Sequence, residues 1–218
     1  MRTDSEIQQA VLHELKWDTR VSETDVGVEV DSGVVTLTGT VASWAKRVAA
    51  EQAAHRVAGV HDVANDIQVK VPGRGSPTDT EIAHAVRHAL KWSVFVPETQ
   101  ITSTVSDGHA SLEGRVDYLT QREDAERAVR DLAGVTSVIN NIEVVPPRFV
   151  STADVRSAIA DALVRRVERE LERVHLDVRD GRVTLSGSVH TWAEHQAAIG
   201  AARGTPGVRS IEDHLRVE

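Results

Sequence analysis

The sequence predicts an α+β chain made of three tandem copies of one small αββαβ unit, and three observations carry that prediction. Glycines recur in register, as Gly33, Gly108 and Gly181, as Gly39, Gly114 and Gly187, and as Gly59, Gly134 and Gly207, at offsets of 75 and 73 residues. Inside each period the apolar spacing changes from helical to alternating and back again. Each period also opens on one start signal: Thr3-Asp4-Ser5-Glu6, Thr78-Asp79-Thr80-Glu81 and Ser151-Thr152-Ala153-Asp154. The copies are assigned to residues 3–72, 78–147 and 151–218.

The start signal is a hydroxyl residue followed three positions later by an acid, the pattern that satisfies the unpaired amides of a helix start. A helix is predicted behind it. Its apolar stripe is Ile7, Ala10, Val11 and Leu15, repeated as Ile82, Ala85, Val86 and Leu90 and as Val155, Ala158, Ile159 and Leu163. Alternation at Val26, Val28 and Val30, at Ile101 and Val105, and at Val174, Leu176 and Val178 then predicts a half-buried strand. The turns Asp31-Ser32-Gly33, Ser106-Asp107-Gly108 and Arg179-Asp180-Gly181 offer the positive-φ residue of a tight hairpin. Return strands follow at Val35-Thr36-Leu37, Ala110-Ser111-Leu112 and Val183-Thr184-Leu185.

Gly39, Gly114 and Gly187 interrupt these return strands, where a β-branched residue would otherwise be favoured. A crowded or positive-φ backbone is expected there. A second helix of small residues comes next: Ala50, Ala53, Ala54 and Val57, then Ala125, Ala128, Val129 and Leu132, then Ala198, Ala201 and Ala202. It ends at Gly59, Gly134 and Gly207, each followed by valine, because glycine accepts the left-handed turn that closes a helix. The last strands are predicted over 63–69, 138–144 and 211–217.

Composition narrows the chemistry. Hydrophobic residues make up 40% and charged residues 27%, ordinary globular usage for a soluble, folded chain. With no cysteine, disulfides, thiolate metal sites and cysteine nucleophiles are excluded. The net charge of -8 opposes non-specific attraction to nucleic acid, so nucleic acid is not expected as a partner, and any anion binding must be local. No apolar run is long enough for a transmembrane segment. The start MRTDSEIQQA has no leader pattern, from which a cytoplasmic location is expected, or a periplasmic one only if a leader was removed.

The element order, the Asp-Gly hairpin turn, the Leu-x-Gly-x-Val after it and the Gly-Val-x-x-Val before the last strand resemble the BON domain, named for bacterial OsmY and nodulation proteins. All three units resemble it. The resemblance implies that each unit is a small three-stranded mixed sheet with two helices on one face. It also implies a bacterial protein of the stress response, and three units without a leader resemble cytoplasmic three-unit relatives. Lipid binding, too, is an implication of the resemblance.

Catalysis finds no support in the residues: no Gly-x-Ser-x-Gly, phosphate-binding loop or repeated acid–base pair occurs. His84 and His88 are one helical turn apart but lack further ligands, so neither metal nor cofactor is expected. Gly73-x-Gly75 lies between a strand and a helix, yet Thr78 stands where a dinucleotide loop needs its third glycine, so Pro72 to Pro77 is a linker.

The candidate binding residues for lipid or a partner are Lys16, Trp17, Lys91 and Trp92, where an amphipathic tryptophan beside a cation ends the first helix. The competing expectation, and the favoured one, is that Trp17 and Trp92 cap their small cores, with Val94 and Phe95 burying Trp92. Arg165, Arg169 and Arg173 share a helix face with interleaved glutamates, a solvated ion-paired face that would point an acidic partner to the third unit. That unit has 10 cations against 11 acids, whereas each of the others has 6 against 11. The expected function is a non-enzymatic binding or scaffold protein with a protein partner or self-association. A peripheral binder of anionic phospholipid is the alternative, and an enzyme with an unrecognised site is the least favoured reading.

Overall fold

A computed structural model of the chain describes residues 2–70, 77–147, 150–166 and 174–217. The first repeat contains α1 (Asp4–Trp17), β1 (Val26–Asp31), β2 (Val34–Val41), α2 (Trp44–His55), β3 (Asp62–Asn65) and β4 (Gln68–Val69). The second contains α3 (Asp79–Trp92), β5 (Ile101–Ser106), β6 (His109–Val116), α4 (Leu119–Arg130) and β7 (Ser137–Val144). The third contains α5 (Thr152–Arg166), β8 (Val174–Arg179), β9 (Arg182–Val189), α6 (Trp192–Arg203) and β10 (Ser210–Val217). This is the αββαβ order, three times over, that the sequence predicts.

Each repeat forms its own small sheet with the hairpin's second strand at its centre. In the first and third repeats β1 and β8 pair antiparallel with that strand, while β3 and β10 return parallel to it after the crossover helix. Parallel return follows from chain direction: a strand that leaves, crosses by a helix and re-enters on the same side must run the same way. The predicted last strand of the first repeat is not continuous. It pauses at Asp66-Ile67, where the Asn65 carboxamide oxygen accepts the Ile67 amide at 3.3 Å and Ile67 turns into the core.

The helix starts form as their sequences require. Glu6 donates its amide to the Thr3 hydroxyl, and its carboxylate accepts the Thr3 amide at 2.8 Å; Thr78 and Glu81 repeat the exchange. In the third repeat Asp154 donates its amide to the Ser151 hydroxyl at 3.1 Å. These amide contacts hold the Glu6 and Glu81 carboxyls below the usual carboxylate range.

Asp4 and Asp79, the first residues of their helices, do further work. The Asp4 carboxylate accepts the amides of Ser32 and Gly33, both at 3.0 Å, and Asp79 accepts those of Asp107 and Gly108. Those hairpin loops are two residues long with φ positive at both, 52° and 78° at Ser32 and Gly33, the conformation that suits the strand twist. A helix start is thereby tied to a hairpin tip in the first two repeats. In the third, Thr152 takes the aspartate's place.

The first repeat's core joins Ile7, Val11 and Leu15 of α1 to Ala49, Ala50, Ala53 and Ala54 of α2 over Val26, Val35, Leu37 and Val41 of the sheet. Alanines on α2 let its backbone approach the strands closely. Both helices therefore cover one sheet face, and the alternate residues of each strand point away from it. Among the interrupting glycines, Gly114 has φ of 144°, and a Cβ there would overlap the Gln100 carbonyl oxygen. Gly39 and Gly187 have φ of 125° and 115°. The strand can bend past the preceding loop only with a bare backbone.

Candidate binding surfaces at the helix ends

The first helix of each of the first two repeats ends on tryptophan, and helix geometry decides where that side chain goes. Residues advance about 100° each around a helix, so Trp17 lies about 200° round from the buried Leu15. It must face outward. The structure corrects the expectation that these tryptophans cap their cores: Trp17 is 71% exposed and Trp92 73%.

Behind each tryptophan the chain makes an excursion of the same length before a buried valine, Val21 or Val96, returns it to the core. The turn closes by amide bonds from Val21 to the Asp18 carbonyl and from Val96 to the Ser93 carbonyl. The two excursions share a shape but not a chemistry.

In the first repeat the excursion is Asp18-Thr19-Arg20, tied down by ions. Arg20 donates to both Asp18 carboxylate oxygens, at 2.9 and 2.7 Å, and Arg56, which caps the end of α2, donates to Asp18 at 2.9 Å and to Glu14 at 2.7 Å. The Asp18 side chain is only 6% exposed, and its bonds from Arg20, then Arg56, hold the carboxyl far below the usual carboxylate range.

In the second repeat the excursion is Ser93-Val94-Phe95. Ala89, Ser93, Phe95 and Asp131 replace Glu14, Asp18, Arg20 and Arg56, so none of the ion network can form. Val94 is 92% exposed and Phe95 72%, which overturns the expectation that they bury Trp92. With Lys91 beside them, these side chains make an uncovered apolar tip with a cation at its root. Large exposed apolar groups that adjoin one another mark contact surfaces.

The remaining candidates separate from these tips. Arg165 belongs to α5 with its side chain outside the described residues, and Arg169 and Arg173 lie outside them altogether. His84 and His88 are both exposed on α3, and no group of three or more potential metal ligands occurs among the described residues. Nor is any helix among them long and apolar enough to cross a membrane.

Two features escaped the residue patterns. Each exposed tryptophan carries a histidine one turn before it: the Trp17 indole Nε1 donates to His13 Nε2 at 3.1 Å, and the His88 and Trp92 rings lie 5.6 Å apart. The other is a clamp between the second helix and the last strand. Arg47 donates to the Asn65 carbonyl at 2.6 Å, and Asn65 donates to Glu51; Arg122, Asn140 and Glu126 repeat this arrangement. In the third repeat the clamp becomes His195, stacked on Trp192 and bonded to Asp213 at 2.8 Å. An alignment of the three repeats with one another pairs Arg47, Arg122 and His195 and would have flagged the exchange.

Comparison with known proteins agrees with the repeat structure. Residues 3–71, 78–146 and 151–218 each match the family model described as BON domain. The osmotically-inducible protein Y of Escherichia coli (strain K12) is 31% identical over 144 residues, which span 64% of this chain and 72% of that protein. Among solved structures, CdsD, a structural protein of the type III secretion system of Chlamydia trachomatis, is 12% identical with a TM-score of 0.26 over 96% of this chain and 91% of its own. The C-terminal domain of CdsD, fully covered, gives 12% and a TM-score of 0.27. Similarity this low carries no argument about function.

Proposed function

The chain belongs to the BON domain family, and on that footing we propose that it is a non-enzymatic binding protein that docks on anionic phospholipid surfaces through its tryptophan-bearing helix ends, the second repeat foremost. One observation carries this reading: Trp92, Val94 and Phe95 stand uncovered on one turn beside Lys91. An aromatic ring with a polar edge, apolar neighbours and an adjacent cation match the layering of a membrane interface, where acyl chain meets headgroup phosphate. A chain of net charge -8 gains no global attraction to such a surface, so the apolar tip must supply most of the affinity. The name of the E. coli relative supports a place in the response to osmotic stress.

Docking on a protein partner or self-association is the second reading. Exposed Ile139, on the helix-free face of the second sheet, and Val145, just past the end of β7, favour it. Co-sedimentation of the whole chain with phosphatidylglycerol vesicles and with neutral phosphatidylcholine vesicles separates the two. Salt-sensitive binding to the first alone, weakened by W17A/W92A, is expected. Absence of binding to either at low salt would reject the lipid reading in favour of a protein partner.

A further inference from the structure

The histidines beside the exposed tryptophans belong to the same surface. His13 and His88 occupy equivalent positions, four residues before Trp17 and Trp92, and so share the outward helix face with them. Both are exposed. Lys16 and Lys91 complete each cluster of tryptophan, histidine and lysine. No such histidine is needed for packing, since the buried stripe passes through Val11 and Leu15, and through Val86 and Leu90, on the opposite side.

The bond at the first repeat has a protonation requirement. Trp17 Nε1 is a donor only, so His13 Nε2 must accept, and an imidazole nitrogen can accept only when it carries no proton. Proton uptake there breaks the bond, frees the indole N–H and places a positive charge beside Lys16. At the second repeat the rings are in contact without such a bond, and protonation of His88 adds charge alone.

We infer that lipid docking is acid-strengthened, with His13 and His88 as the groups whose protonation turns each helix end into a two-cation cluster around an exposed tryptophan. The inference rests on the lipid reading above. Histidine is the side chain that ordinarily changes charge between pH 5 and 8. Other charged groups at these helix ends do not substitute for it. Around His13, Glu14 and Asp18 are already engaged by Arg56 at the end of α2, and the short turn before β1 contributes Asp25. Around His88, the helix offers His84 and Arg87, the latter donating to the Glu98 and Ile101 carbonyls, while the end of α4 offers Arg130 and Asp131, paired at 3.3 Å.

The test is co-sedimentation with phosphatidylglycerol vesicles, whose phosphate stays ionised over the range used, at about pH 7.5 and about pH 5.5. Each added cation near an anionic leaflet strengthens binding about fivefold. Wild type is therefore expected to bind about fivefold or more tightly at the lower pH, H13Q/H88Q to lose that gain, and H13R/H88R to bind at the higher pH as wild type does at the lower. These exposed substitutions are checked for unchanged thermal unfolding. Equal wild-type binding at both pH values, or a gain that survives H13Q/H88Q, overturns the inference and leaves the lipid reading standing. Binding at neither pH in low salt overturns the lipid reading and the inference with it.

Discussion

The ends of the first helices in repeats one and two place a tryptophan at the same angle and return the chain to the core with the same valine. One tip is ion-paired and the other apolar. In repeat one Asp18 gathers Arg20 and Arg56 and holds the excursion down; in repeat two Val94 and Phe95 face outward and are largely exposed. A duplicated scaffold has kept its backbone course while five side chains, at positions 14, 18, 19, 20 and 56 and their equivalents, changed what the tip can touch. Exposed tryptophan alone therefore does not define a docking site; its neighbours decide how much apolar area is free to leave water.

That comparison can be broken at several depths. The largest effect is expected from G114V, which forces a branched side chain onto a positive-φ backbone against the Gln100 carbonyl oxygen. A loss of about 3 kcal/mol or more is expected for repeat two, together with its vesicle binding. Urea unfolding checks this, and unchanged unfolding would show that the bend does not need glycine.

Rewriting the second tip as the first, by S93D/V94T/F95R, tests the difference without touching the core. Removing apolar area of this size is expected to cost about 2 kcal/mol of membrane affinity, roughly thirtyfold, with thermal unfolding almost unchanged. Retained binding would mean that the tip's apolar character is irrelevant.

A smaller effect is expected at the first tip. Asp18 has its carboxyl held below its ordinary value of 3.8, so it adds stability at neutral pH that is lost as the pH falls through that depressed folded-state range. D18N should destabilise repeat one by about 1–2 kcal/mol at neutral pH, and the difference from wild type should vanish in strong acid. Unfolding measured against pH reads this directly; a difference that grows on acidification would contradict the sign. Smallest of all, W17A is expected to weaken vesicle binding only about twofold to threefold, since one partly inserted ring contributes well under its full burial value.

Much of this architecture is legible in the residues. Helical stripes such as Ile7, Val11 and Leu15, the two-residue hairpin turns and the interrupting glycines each follow from a local rule, and three copies in phase remove the ambiguity that one would leave. The orientation of Trp17 and Trp92 was also within reach, because an angle of about 200° from the last core leucine points outward. What misleads there is bulk: large apolar rings in a chain with only 3% aromatic residues look like core. Contacts distant in sequence are not legible. The tie from Asp4 to the Ser32-Gly33 turn and the Arg47–Asn65 clamp depend on how helix and sheet meet, which no periodicity encodes. The break at Asp66 is likewise invisible in the alternating pattern, which runs straight through it, and the Ile67–Asn65 bond does not explain it, since Ile142 bonds Asn140 in the same way inside the unbroken β7.

The central claim, that the Trp92 tip enters the lipid interface, is tested most directly by the fluorescence of that residue alone. The chain has 4 tryptophans, so W17F/W44F/W192F leaves Trp92 as the sole reporter. On adding phosphatidylglycerol vesicles, Trp92 emission is expected to shift to the blue and to be quenched by bromine placed on the upper acyl chain. Emission that stays that of a water-exposed indole, unquenched while the protein sediments with the vesicles, would contradict the claim.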